Sequence, residues 1–294
     1  MCKPRVLVTG ASGFTGHYVC KEFESQGFDV FGLTRDGSIN GKSIDLCSYD
    51  EVLQCVDIVQ PNSVVHLAAI AYVGYGIPND FYRVNVEGTL NLLRSLETVG
   101  SVLGTVVLAS SANVYGDVYQ QQPISEDFAP KPVNDYAVSK LSMEYMACLH
   151  MNTLPIVIAR PFNYTGVGQR ENFLVPKIVR AFRERQPILE LGNIHVSRDF
   201  SDVRDIAKYY HQLVMKSIHG QTVNLCSGKS FEVGEIIRMC EQITGHTVRV
   251  DSVERFQREN ELKQLLGNPK QLISLTGSCA QYSMRDTLCW MLKK

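Results

Sequence analysis

Arg5-Val6-Leu7-Val8-Thr9-Gly10-Ala11-Ser12-Gly13-Phe14-Thr15-Gly16 is the stretch that decides the fold. An apolar, β-branched run leads into a turn with glycines at every third position, and Tyr18, Val19 and Phe23 then mark one side of a helix over 16–26. A strand that ends in such a turn and opens directly into a helix has a physical purpose. Glycine permits the tight backbone and the close approach of a diphosphate, and the helix start offers unpaired N–H groups and a positive dipole end. A glycine string alone is weak evidence, but at a first strand–helix junction it predicts dinucleotide binding through Gly10, Ser12, Gly13, Phe14, Thr15 and Gly16.

Outward from this turn the same alternation repeats. Strands are expected over 30–34, 63–68, 105–109 and 156–160, and helices over 50–59, 79–99 and 135–150. Continuous apolar strands separated by helices of this length imply a parallel sheet covered on both faces, an α/β doubly wound (Rossmann) arrangement. The rhythm breaks after Arg160. A polar loop over 161–172, helices over 173–185 and 202–216, and a strand over 222–226 follow, then short helices and polar loops over 228–294. The expected organisation is a dinucleotide-binding domain over 1–165, to which a segment near 197–228 returns, and a smaller substrate-binding cap over 166–294.

Composition narrows the partners. The 294 residues carry 29 Lys and Arg against 30 Asp and Glu, a formal net charge of −1, and 45% are hydrophobic. That apolar share excludes a disordered chain, and the balanced charge gives no support to nucleic acid or an anionic membrane as partner. The nine cysteines form no C-x-x-C and are odd in number, so neither a disulfide framework nor a metal site is expected, and a reducing, cytoplasmic location is. No secretory leader is read at the start. The longest apolar stretch, Val64 to Ile77, is interrupted by His66 and two glycines and is too short for a membrane span. Asn163-Tyr164-Thr165 fits a glycosylation sequon but is read as ordinary loop sequence in such a compartment.

Cofactor choice turns on the end of the second strand, Leu33-Thr34-Arg35-Asp36. Thr34 stands where an acidic residue would take both ribose hydroxyls of NAD, and the Arg35 guanidinium suits a 2′-phosphate, so NADP is favoured. Asp36 keeps NAD open, because it either pairs with Arg35 or takes the ribose itself. Asp45 and Leu46, read as following a third strand, are candidates to cover the adenine, with a loop or cap carboxylate as the plain alternative for Asp45. Tyr136 and Lys140 lie four residues apart on one helical face. An ordinary phenol titrates near pH 10, too high for proton exchange at neutral pH, and a neighbouring ammonium and a nicotinamide charge are both expected to lower it. Ser111 ends the preceding strand region and directs a hydroxyl at the same crevice.

With Thr9 to Gly16, His66-Leu67-Ala68-Ala69, Asn85-Val86-Glu87-Gly88-Thr89, Ser110-Ser111, Val114-Tyr115-Gly116, Tyr136 and Lys140, the chain resembles the extended short-chain dehydrogenase/reductase family, in its sugar-nucleotide-modifying branch. The resemblance implies Tyr136 as proton donor or acceptor, Lys140 on the nicotinamide ribose and Ser111 on the reacting oxygen. It also implies Leu67, Ala68, Ala69, Asn85 and Pro161 around the cofactor, and a homodimer built on the helices expected over 79–99 and 135–150. The 4,6-dehydratases of this branch carry carboxylates just after the catalytic Ser or Thr; Ala112 and Asn113 stand there instead, which disfavours dehydration.

Arg160 to Gln169, Ser197 to Asp205 and Arg258-Glu259-Asn260-Glu261 with Gly267-Asn268-Pro269-Lys270 are most similar to the GDP-4-keto-6-deoxy-mannose reductases. The last pair departs from that group's R-P-x-E and G-D-x-S-K, with Glu259 for proline and Asn268 for aspartate. The resemblance implies NADPH-dependent reduction of a nucleotide-linked, GDP-type 4-keto-6-deoxyhexose. Ser111, Asn113, Asn163, Lys177, Arg198, Arg258 and Glu261 are its candidate substrate contacts. An NAD-dependent UDP-sugar C4 epimerase is the alternative. A non-catalytic cofactor-sensing protein is the minor one, disfavoured because such proteins commonly lose the tyrosine or lysine.

Overall fold

The computed structural model describes residues 3–34, 43–71, 77–101, 104–116, 123–253 and 263–294. Its first half is built from β1 (Arg5–Thr9), α1 (Phe14–Ser25), β2 (Asp29–Leu33), α2 (Tyr49–Val59), β3 (Ser63–His66), α3 (Pro78–Tyr82), α4 (Gly88–Val99), β4 (Val106–Ala109), α5 (Asp135–Cys148) and β5 (Ile156–Pro161). There follow β6 (Asn163–Thr165), α6 (Leu174–Arg183), β7 (Ile188–Leu191), β8 (Ser197–Asp202), α7 (Val203–Met215), β9 (Gln221–Leu225), β10 (Ser230–Glu232), α8 (Val233–Thr244), β11 (Arg249–Ser252), β12 (Gln264–Leu265), α9 (Lys270–Thr276) and α10 (Met284–Leu292).

The main sheet has six parallel strands in the order β2-β1-β3-β4-β5-β9. Strand alternation divides its core in two. Val6, Val8, Val65, Val107 and Val157 face α1 and α7, whereas Leu7, Val64, Val106, Leu108 and Ile158 face α2, α4 and α5. Both faces are apolar, and this is why the strands read as unbroken hydrophobic runs. The chain leaves β1 toward β2 on one side and returns to β3 on the other. The strand order therefore reverses between β1 and β3, the place where open α/β sheets bind ligands beyond their carboxyl ends.

The C-terminal half adds a sheet in the order β10-β8-β12, with β6 paired to β8, and a two-stranded β7–β11 pair. Their apolar side chains join those of α6, α8 and α10 in a separate cluster that includes Ile178, Phe182, Leu189, Phe200, Ile236 and Leu288. Two expectations need correction here. The helix expected over 79–99 is α3 and α4 joined by a π-helical turn, Arg83–Glu87. Residues 161–172 and 228–294 are not only loops and helices, since β6, β10, β11 and β12 lie in them. Among the described residues no helix is long and apolar enough to cross a membrane.

Candidate active site

The glycine turn sits at the β1/β3 reversal. Gly10 has φ +71°, and a side chain on it would stand 2.9 Å from the Ala68 backbone. A side chain on Gly16 would stand 2.2 Å from the Gly10 carbonyl. These two glycines thus let α1 and the β3 loop close on the turn, and any larger residue would fill the cradle. Gly13 caps α1 with no side-chain hydrogen bond and no acidic residue follows in the first turn, so the helix start keeps its donors for an anion. This architecture fits a dinucleotide diphosphate. Thr15 is also used structurally: its hydroxyl pairs with the Tyr164 hydroxyl at 2.7 Å, and the Tyr164 ring stacks on Phe14 at 6.1 Å.

Behind the turn lies a buried polar chain. The Thr89 hydroxyl donates to the Asn85 carbonyl at 2.8 Å, so its oxygen must accept from His66 Nε2 at 2.9 Å. His66 Nδ1 then carries no proton and accepts from the Thr9 hydroxyl at 2.7 Å, while Thr9 Oγ1 accepts from the Ala68 N–H at 3.2 Å. One neutral tautomer satisfies every group. Burial, with Lys140 adding repulsion, pushes His66 down to about 3. Asn85, on the π-turn, accepts from the Ile70 N–H at 2.9 Å and donates to Ser139 Oγ at 3.0 Å, joining the β3 loop to α5. A π-turn in a helix commonly marks a functional site; here it seats Asn85.

Tyr136 and Lys140 project from α5, whose start Asn134 caps by accepting from the Ala137 N–H. Both are buried. Lys140 Nζ donates to the Ala109 carbonyl at 2.7 Å, at the end of β4. Ser111, two residues on, caps a 3-10 turn over Ala112–Tyr115 and accepts from both the Asn113 backbone N–H and its side-chain amide. The Ser111 hydroxyl also lies close enough to Tyr136 to lower its titration. Ser111 and Tyr136 therefore lie near one another, with Lys140 one helical turn behind on α5.

The electrostatics differ from the expectation that a lysine cation lowers the phenol. Burial pushes Tyr136 up to about 12, opposed by Ser111 and aided by Tyr164. Lys140 itself is brought down to about 8 by burial, with Glu144 opposing. Desolvation exceeds the pairwise attraction that spacing alone implies.

The other candidates fall in several places. Leu67 and Ala69 flank Ala68 in the β3 loop, and Pro161 ends β5. Thr34 follows β2. The Arg35–Asp36 pair, Arg258 and Glu261 lie outside the described residues. Among the described residues no strand lies between β2 and Asp45: β3 comes later, and Asp45 precedes α2, where its carboxylate accepts from the Cys47 N–H at 2.9 Å. The turn chemistry of an exposed carboxylate explains it. Leu46 is buried against α4, its carbonyl accepting from Asn91. Asn163 begins β6, and its side-chain N–H group is buried without a partner among the described residues, as a ligand-binding amide would be. Arg198, on β8, donates to the Ser197 carbonyl, and Lys177 lies on α6; both are in the C-terminal half, on other elements than Ser111, Tyr136 and Lys140.

Comparison with known proteins decides the family. The profile of the NAD dependent epimerase/dehydratase family matches residues 6–226. The chain belongs to that family. It is 36% identical over 293 residues to a GDP-6-deoxy-D-talose 4-dehydrogenase of Aggregatibacter actinomycetemcomitans, covering 98% of this chain and 97% of the other. It is 34% identical over 239 residues to a GDP-6-deoxy-D-mannose reductase of Pseudomonas aeruginosa, covering 78% of each. The solved structure of RMD from Pseudomonas aeruginosa complexed with NADPH superposes with a TM-score of 0.88 at 30% identity, covering 99% of this chain and 98% of that one. UDP-glucose 4-epimerases align too, at 27% identity over 317 residues for that of Halalkalibacterium halodurans, covering 96% and 92%. The protein is an NAD(P)-dependent, nucleotide-sugar-modifying enzyme of the extended short-chain dehydrogenase type with a doubly wound parallel sheet.

Proposed function

We propose that this family member reduces the C4 ketone of a GDP-linked 4-keto-6-deoxyhexose with NADPH. The observation that carries the reading is the buried Tyr136 placed within reach of Ser111, just past the end of β4, in a chain with 98% coverage by a GDP-deoxysugar 4-dehydrogenase. The cofactor would be held by Gly10, Ser12, Gly13, Phe14, Thr15 and Gly16 on the diphosphate, Thr34 and Arg35 on the adenosine side, and Leu67, Ala68, Ala69 and Pro161 along the crevice. Asp45 and Leu46 would border the adenine, and Asn85 would hold the crevice walls in place. A bound reduced nicotinamide supplies the hydride.

The chain's own residues handle the proton. Ser111 donates to the ketone oxygen and polarises it. Tyr136, protonated at neutral pH, gives its proton to that oxygen as charge develops there. The Lys140 ammonium offsets the negative charge left on the phenolate. Asn113, whose side-chain amide is spent on Ser111, offers no carboxylate for removal of water, in keeping with reduction rather than dehydration. Asn163, Arg198, Lys177, Arg258 and Glu261 are assigned to the nucleotide-sugar, the cations facing its diphosphate. Residues 1–165, with 197–228, form the cofactor side in this reading and the remainder of 166–294 the substrate side. Two chains pair through α4 and α5.

6-Deoxytalose and 6-deoxymannose differ only at C4, so the names of the two GDP-sugar relatives leave two product configurations. The test is a panel of GDP-, UDP- and dTDP-linked 4-keto-6-deoxyhexoses with NADPH or NADH, followed by nicotinamide absorbance and by NMR of the product. Tyr136→Phe is expected to lower kcat by about 10²- to 10⁴-fold with NADPH affinity almost unchanged; retained turnover refutes the assignment. An epimerase, the reading favoured by the UDP-glucose 4-epimerase relatives, would interconvert C4 epimers with no net NADPH consumption.

A further inference from the structure

Tyr136, Lys140 and Glu144 follow one another at four-residue spacing, so one face of α5 carries all three into the protein. Glu144 is as buried as the other two, at 4% exposure. One of its carboxylate oxygens accepts from Ser110 Oγ at 2.5 Å and Arg160 Nε at 2.9 Å, and the other accepts from Arg160 Nη2 at 2.6 Å. Ser110 stands between Ala109, whose carbonyl receives the Lys140 ammonium, and Ser111, which acts on Tyr136. Arg160 is the last residue but one of the adjacent strand β5, with its guanidinium over the Tyr115 ring at 4.8 Å.

We infer that Glu144 is a positioning residue for the proton-transfer site: its carboxylate keeps the buried Lys140 ammonium charged and clamps the end of β4 to β5 through Ser110 and Arg160. The inference rests on the roles assigned above to Lys140 and Tyr136. A buried ammonium without a counter-charge gives up its proton. The groups that act on or bond to Lys140 are Glu144 from α5, the Ala109 carbonyl from β4 and the neutral His66 from β3. Glu144 supplies the negative charge among them, and it is shared with Arg160.

A purely structural ion pair would set the melting temperature and leave Lys140 titrating where it does. The test therefore reads Lys140 itself. Protein labelled with ¹³C at lysine Cε is titrated by NMR, and the Lys140 resonance is assigned by its loss in Lys140→Arg. In Glu144→Gln the Lys140 midpoint is expected to fall by about one pH unit or more, and the alkaline limb of kcat to move with it while KM for the sugar changes little. Should Glu144→Gln fail to fold because Arg160 is left unpaired, the double variant Glu144→Leu/Arg160→Met removes the pair together, and the same downward direction is expected. An unchanged Lys140 midpoint in either folded variant overturns the inference. The titration needs no substrate, so its result stands apart from that of the keto-sugar panel, which decides the proposed reaction.

Discussion

Acid is expected to unlock this fold at His66, by a definite amount. The imidazole is held neutral between Thr9 and Thr89 and titrates at about 3, against 6.5 for the free side chain. Because the folded value lies below the unfolded one, the unfolded chain binds more protons in the interval between them, and stability falls as pH drops from 6.5 toward 3. The full shift corresponds to an upper bound of about 5 kcal/mol, of which about 2 kcal/mol is lost by pH 5. A proton on Nδ1 also turns an acceptor into a donor facing the Thr9 hydroxyl, whose own hydrogen then has no partner in this chain of bonds. The assay is urea unfolding at pH 7 and pH 5 for the parent and for His66→Gln, which keeps a donor and an acceptor but cannot titrate. Gln fits the gap less well and lowers stability at both pH values by about 1–3 kcal/mol. Other titrating groups are common to both proteins and cancel in the difference. The parent should lose about 2 kcal/mol more than the variant between the two pH values. An equal loss would refute the neutral-tautomer assignment.

Gly16→Ala should weaken NADPH binding by about tenfold or more, read by quenching of intrinsic fluorescence, since its methyl would stand 2.2 Å from the Gly10 carbonyl and push α1 off the turn. Gly27→Ala is the control: that glycine has φ +86° but nothing within 4 Å of the added carbon, so stability should fall by about 1 kcal/mol while binding is retained. For the assembly, Tyr145 on α5 is 64% exposed and Leu149 at its end 80%. Sedimentation should find a dimer for the parent and a monomer for Leu149→Glu, and a parent that is monomeric at micromolar concentration removes the pairing through this face.

The sheet was legible because both of its faces are buried: Val6 to Val8, Val64 to Val65 and Val106 to Leu108 must be apolar at every position. The same logic fails for the C-terminal strands. β8 reads Ser-Arg-Asp-Phe-Ser-Asp and is held by ladder bonds and by Asp199, which accepts from the Ser227 and Gly228 N–H groups, so no hydrophobic period announces it. The π-turn was equally invisible, because one extra residue in a helix leaves apolar spacing nearly intact. Asn85 reveals it only through its bonds to Ile70 and Ser139. In the site, Tyr136, Lys140 and the glycines were legible from spacing. Glu144 carried a signal of the same kind, four residues beyond Lys140, but its partners are Ser110, just past β4, and Arg160, on β5. The contact of Tyr164 with Thr15 joins residues 149 positions apart, which no local pattern encodes.

Burial at the centre of the site works on the two key groups in opposite chemical senses. It raises the Tyr136 phenol to about 12 and lowers the Lys140 ammonium to about 8, so both are driven toward their neutral forms. A neutral phenol is the form a reductase needs at the start of its cycle, because the proton must be on the oxygen before hydride reaches C4. The opposite direction, oxidation of an alcohol, starts from phenolate and needs a charge nearby to make it accessible. Lys140 can supply that charge only while it keeps its own proton, and here Glu144 opposes the desolvation that would remove it. The protein's own groups thus keep the proton on Tyr136, as the proposed reduction requires, and Glu144 helps preserve on the adjacent turn of α5 the cation that the proposal uses once the proton has left.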